Sequence, residues 1–165
     1  MSLSGRLVVI GTGLIGGSVA LGAREYGYAS YVVGVDASRS SLDQGLAKGV
    51  FDETGLPKNL GADDLVVVAT PTLTVPGVRS DLAELGETFA GGATVTDVAS
   101  VKATVRDAAA QLDGGIPSNF VAGHPISGSE RSGISAARAE LFRDRRVILT
   151  PEIETEADAV VRVED

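Results

Sequence analysis

The chain holds a single histidine, His124, in Gly123-His124-Pro125, just past an apolar run and ahead of a loop rich in glycine and serine. A neutral imidazole can take a proton from a substrate hydroxyl near neutral pH while hydride leaves the same carbon. Thr96-Asp97-Val98-Ala99-Ser100 ends another apolar run. Ser100 there can orient His124 or the substrate hydroxyl, or cap the helix that follows, and the two roles are compatible. Asp97 reads equally as a buried hydrogen-bonder and as a catalytic acid. Lys102 could reach the crevice, but a solvated side chain in a helix's first turn is the preferred reading.

A departing hydride needs an acceptor, and Val8-Val9-Ile10-Gly11-Thr12-Gly13-Leu14-Ile15-Gly16 is where one can bind. The spacing Gly-x-Gly-x-x-Gly, between a β-branched run and a helix-competent segment, opens a dinucleotide-binding unit. Gly11 permits the sharp turn, Gly13 a close approach to a pyrophosphate, and Gly16 tight packing of helix on strand. The N–H groups at the helix start then face the phosphates. A second run, Tyr31-Val32-Val33-Gly34-Val35, ends in Asp36, about 20 residues past the last fingerprint glycine. An acid at that place accepts from the adenosine ribose hydroxyls and repels a 2′-phosphate, so NAD is the expected cofactor. Arg39 keeps NADP open as a phosphate partner, and Ser38 competes with Asp36 as the cap of the next helix. Ala69-Thr70-Pro71, at the end of a third run, completes the expected cofactor crevice.

Strands that hold these residues are expected at Leu7–Ile10, Tyr31–Asp36, Val50–Glu53, Leu65–Ala69, Ala93–Asp97, Asn119–Ala122 and Val147–Leu149. Helices are expected at Leu14–Tyr26, Ser38–Lys48, Val75–Gly86, Val101–Leu112, Ile134–Phe142 and from Glu152 onward. The alternation predicts an α/β fold of Rossmann type, a doubly wound and mostly parallel sheet with helices on both faces. Ligands then lie outside the carboxyl ends of the strands. Residues 1–151 form the nucleotide-binding domain in this reading, and 152–165 begin a continuation that stops short, as in a truncated piece of a longer protein.

Aromatics make up 4% of the 165 residues, so the core must be aliphatic, and there is no cysteine for a disulfide or a thiolate metal site. Reducing cytoplasm is the expected compartment, and no metal is expected. A formal charge of −8 argues against a nucleic-acid or anionic-membrane partner. The uncharged stretch Leu7–Ala23 could pass for a signal-peptide core, but its glycines and the strand that follows favour a folded βαβ unit.

Together, Gly11-Thr12-Gly13-Leu14-Ile15-Gly16-Gly17-Ser18, Thr96-Asp97-Val98-Ala99-Ser100-Val101-Lys102 and Gly123-His124-Pro125-Ile126-Ser127-Gly128-Ser129-Glu130 closely resemble the prephenate dehydrogenases. The likeness runs from about Arg6 to Pro151. It implies NAD-dependent oxidative decarboxylation of prephenate to 4-hydroxyphenylpyruvate. His124 would accept the ring hydroxyl's proton, Ser100 would assist beside the nicotinamide, and Ser129 and Glu130 would lie near the substrate. The family also carries a helical domain that dimerises and binds the substrate carboxylates, which nothing in this sequence matches. A homodimer through that domain is therefore implied for the longer protein, with poor turnover by this chain alone. The exposed-looking Arg131, Arg138, Arg143, Arg145 and Arg146 are read as surface or domain-facing residues. Arogenate dehydrogenase, a lysine-dependent β-hydroxyacid type enzyme, and a non-catalytic dinucleotide sensor remain alternatives.

Overall fold

Leu65-Val66-Val67-Val68 is apolar at every position because both faces of its strand are covered. The computed structural model describes residues 2–71, 75–128 and 130–164, so Ser129 lies outside the described residues. Among the described residues seven strands form one sheet: β1 (Leu7–Ile10), β2 (Val32–Val35), β3 (Glu53–Thr54), β4 (Leu65–Val68), β5 (Thr94–Asp97), β6 (Phe120–Pro125) and β7 (Val147–Thr150). Their order is β3-β2-β1-β4-β5-β6-β7, parallel throughout except for antiparallel β7. The helices are α1 (Leu14–Glu25), α2 (Arg39–Ala47), α3 (Val75–Ala83), α4 (Gly86–Ala90), α5 (Lys102–Ala109) and α6 (Ala157–Glu164). This is the predicted doubly wound, Rossmann-type sheet.

Alternation along the strands divides the core in two. Val8, Val66, Val95 and Phe120 pack with Val78, Leu82, Val105 and Ala108 of α3 and α5. Leu7, Val9, Val32, Leu65 and Val67 face the other way, with Ala20 of α1 and Ile134. Each fully buried Val or Leu stabilises by about 1.5–3 kcal/mol, so these two clusters outweigh exposed pairs such as Arg39–Asp43. The register sets Ile10 beside both Val35 and Val68, and Val68 beside Asp97. Four strands thus end in line, and the turns after them share one edge of the sheet.

Several elements depart from expectation. The predicted helix Val75–Gly86 is broken into α3 and α4: Leu85 leaves helical backbone and is buried, and Gly86 is a poor helix former. The break turns Phe89 edge-on to Phe120, with ring centroids 6.3 Å apart. Ile134–Phe142 is two 3₁₀ turns, Ile134–Ala136 and Ala139–Phe142, around extended Ala137 and Arg138. There the Arg138 N–H donates to Ser18 Oγ at 3.0 Å, a tie to α1 that a continuous helix would forgo.

The third strand begins at Glu53, not Val50, because Val50 and Phe51 turn into the core and Asp52 engages Val32 through its side chain. In the other direction β6 runs past Ala122 to Pro125, held there by pairing of His124 with Ile148 and Pro125 with Val147. Before α6, Glu152 and Thr155 close a turn through the Thr155 hydroxyl, which delays the helix to Ala157.

Candidate active site at the carboxyl edge of the sheet

The fingerprint turn is built to the limit of what backbone allows. Gly11 has φ +91°, and a Cβ on it would lie 2.6 Å from the Ala69 carbonyl. At Gly16 a Cβ would meet the Gly11 oxygen at 1.9 Å, so α1 can sit this close to β1 only with glycine there. Gly13 is the opposite case. Among the described residues nothing lies within 4 Å of where its Cβ would be, and no side chain caps α1 behind it. First-turn amides without an intrahelical acceptor, beside open space, fit a pyrophosphate. Leu14 is buried and Ile15 half-buried, so both face protein and offer the crevice their backbone.

Thr12 is fully buried, its side chain committed to the protein. Its N–H and its hydroxyl donate to the same oxygen of Asp36, at 2.6 and 2.9 Å. The other Asp36 oxygen accepts from the Ser38 N–H at 2.7 Å. Burial opposes ionisation of Asp36, but the donors on Ser38 and Thr12 more than offset it and hold the carboxyl below its ordinary value. An ionised acid therefore stands against the fingerprint turn. The helix-cap role falls to Ser38, whose hydroxyl accepts from the Ser41 N–H at 3.2 Å. Arg39 pairs with Asp43 at 3.0 Å on the exposed face of α2. Ala69 holds the turn by donating its N–H to Ile10. The Thr70 hydroxyl donates to Asp81 of α3 at 2.9 Å, and Pro71 is exposed.

Asp97 and His124 stand at the same edge, on neighbouring parallel strands. His124 lies inside β6, half-buried, on the face shared with Phe120 and Ala122 and covered by α5. Ser100 is exposed three residues past β5. Val101 occupies the position before α5 with no side-chain cap, so the alternative of Ser100 as that cap does not hold. Among the described residues Ser100 and His124 share no hydrogen bond; the fold brings their chain segments side by side. Glu130 is exposed in the loop after β6, as are the five loop arginines read as surface residues.

The preferred solvated reading of Lys102 does not hold. Instead of reaching solvent the side chain is largely buried and donates to both Asp97 Oδ2 and the Gly123 carbonyl. Burial pulls its ammonium below the ordinary value, against the opposing charge and hydrogen bond of Asp97. Asp97 is buried too, accepting from the Gly123 N–H at 3.1 Å and the Ala99 N–H at 2.9 Å. Of its two expected roles the hydrogen-bonding one is seen. A cavity of about 440 Å³ lies between α1, α6 and the sheet, and Asp97 and Gly123 form part of its lining.

The profile of the prephenate dehydrogenase nucleotide-binding domain matches residues 19–165. The chain belongs to this family. The match begins beyond the fingerprint glycines, so those stand as independent support. A prephenate dehydrogenase of Bacillus subtilis is 34% identical over 163 residues, covering 96% of this chain and 43% of that protein. The crystal structure of Aquifex aeolicus prephenate dehydrogenase with hydroxyphenyl propionate and NAD+ superposes with a TM-score of 0.80 at 27% identity. It covers 99% of this chain and 55% of that one. Synechocystis arogenate dehydrogenase follows at a TM-score of 0.75 and 28% identity, covering 97% of this chain and 55% of that one. This member of the prephenate dehydrogenase family thus spans less than half the length of the curated relative named.

Proposed function

We propose that this chain is the NAD-binding part of a prephenate dehydrogenase, which converts prephenate and NAD to 4-hydroxyphenylpyruvate, carbon dioxide and NADH. The observation that carries the reading is the shared edge: Asp36 follows β2 and His124 sits in β6, four strands away, with the fingerprint turn between. At about 4.8 Å per strand the two are about 19 Å apart, a span an extended dinucleotide bridges. In this reading Gly11, Gly13 and Gly16 cradle the pyrophosphate, Asp36 holds the adenosine ribose, and Ala69 and Ser100 line the way to the nicotinamide.

NAD supplies the hydride acceptor. His124 accepts the proton of the substrate's ring hydroxyl as hydride leaves the carbon bearing it, and Ser100 orients that hydroxyl. Electrons from the bond to the departing ring carboxylate aromatise the ring, and the proton returns to the phenol oxygen of the product. Ser129 and Glu130 flank the substrate. In the same proposal residues 1–151 are the NAD-binding domain, and 152–165, whose α6 still packs on its sheet, lead on to a second domain that dimerises and binds the substrate carboxylates. The enzyme works in the cytoplasm as a homodimer. Among the described residues no helix is long and apolar enough to cross a membrane.

Calorimetric titration of the chain with NADH tests the cofactor site, and a prephenate assay on the longer protein tests the reaction. Absence of NADH binding would overturn the first. Binding without turnover of prephenate or arogenate would favour the sensor alternative. The Synechocystis likeness makes arogenate the second substrate to assay.

A further inference from the structure

Two backbone groups flank the Cα of Gly123, and one ion pair holds both. Asp97 takes the N–H, and Lys102 donates to the C=O, which belongs to the peptide unit that also carries the His124 nitrogen. The same carboxylate accepts from the Ala99 N–H, one residue before Ser100. Gly123 is packed so closely that a Cβ would lie 2.9 Å from the Asp97 carbonyl oxygen and 3.1 Å from Thr96 Oγ1. On its other side His124 pairs with Ile148 of the β7 edge strand, where Val147 and Ile148 are about half exposed.

We propose that Lys102, paired with Asp97, is a positioning residue that fixes the backbone carrying His124 relative to the segment carrying Ser100. The proposal rests on the prephenate dehydrogenase reading for its kinetic consequence but not for its structural one. An ammonium that already donates to a carboxylate and a carbonyl in a half-closed site serves as a clamp. The same two bonds remove it as a free base, which argues against the lysine-dependent alternative. Misplacement of a catalytic group by about 1 Å can lower a rate about a hundred-fold, so loss of the clamp should register in kcat.

The test is Lys102→Met, with Lys102→Arg as the charge-keeping variant. His124 is the sole histidine, so its ring gives one unambiguous set of NMR signals in the 165-residue chain at a fixed pH. Lys102→Met is expected to broaden or double those signals and to speed amide exchange at Gly123 at least ten-fold, while NADH affinity stays within two-fold. In the longer enzyme kcat should fall ten- to a hundred-fold with KM for NAD unchanged, and Lys102→Arg should restore part of the loss.

Should Lys102→Met not fold, Asp97→Asn keeps the shape, removes the charge and is expected to shift the same signals. Unaltered His124 ring signals and Gly123 exchange in a folded variant would overturn the clamp. Altered signals in a chain whose longer form never turns over prephenate would leave the clamp standing and overturn the proposed reaction instead.

Discussion

Gly13→Ala separates cofactor binding from folding more cleanly than any other substitution at the fingerprint. The residue has φ −77° and ψ −154°, at the rim of extended backbone, and among the described residues nothing lies within 4 Å of the new methyl. Alanine is a poorer helix cap than glycine but costs the unfolded chain less entropy to order. Stability should therefore stay within about 1 kcal/mol of the parent. Binding is another matter, because the methyl fills the ground where the pyrophosphate would approach the first turn of α1. Displacing the phosphates forfeits one or more hydrogen bonds to a charged acceptor, each worth about 1.5–3 kcal/mol. At about 1.4 kcal/mol per decade, the affinity for NADH falls roughly ten- to a hundred-fold. Gly16→Ala is the contrast: its methyl would lie 1.9 Å from the Gly11 oxygen, a backbone atom that cannot swing aside. Forcing α1 away from β1 costs about 1–3 kcal/mol and lowers the Tm by about 2–12 °C. NADH fluorescence titration alongside thermal melts reads both. A folded Gly13→Ala chain that binds NADH like the parent would refute the placement of the pyrophosphate.

Asp36→Ala removes an acid held ionised by Thr12 and Ser38, so NAD should bind more weakly and discrimination against NADP should relax; calorimetry with both cofactors measures this. His124→Asn in the longer enzyme should lower kcat by roughly 10²–10⁴ and leave NADH affinity intact, as read by steady-state kinetics and fluorescence. Asp64 ties the starts of β1 and β4 together, accepting from the Arg6 N–H at 2.7 Å, Arg6 Nη2 at 2.8 Å and the Gly61 N–H at 2.9 Å. Burial works against its charge, but those donors win and hold the carboxyl low. A carboxyl lowered by folding contributes stability above its unfolded value of about 3.9, and that contribution is lost as pH falls through the folded value. Asp64→Asn should cost about 2–3 kcal/mol at neutral pH and flatten the acid limb of urea-melt stability below about pH 4.

The sheet was legible because its signals are local. Unbroken Val and Leu runs specify strands buried on both faces, and glycines at fixed spacing specify a turn that backbone clashes explain atom by atom. The sequence reading failed where a distant contact overrode local propensity. Ile134–Phe142 has helical composition, yet Ser18 of α1, more than a hundred residues earlier, draws the Arg138 N–H into extended backbone. The end of β6 was missed for a similar reason. Only the antiparallel partner Val147–Thr150 carries the strand through His124 and Pro125, and a pairing partner cannot be read from the strand itself.

Lys102 shows why the candidate site was less legible than the fold. A lysine in the first turn of a helix is usually solvated, and that prior is sound when the strand before it ends in an apolar residue. Here the strand ends in Asp97, and the connection to α5 is short enough to fold the helix start back over the strand end. The aspartate then needs a counter-charge in a buried place, and Lys102 is the cation the connection delivers. Asp-x-x-x-x-Lys across a strand-to-helix turn is thus a physical signal in its own right, one that predicts a buried pair before any coordinates are known. The reach of that pair to Gly123 required the third dimension, because it depends on β6 lying beside β5 and on a glycine small enough to admit the contact.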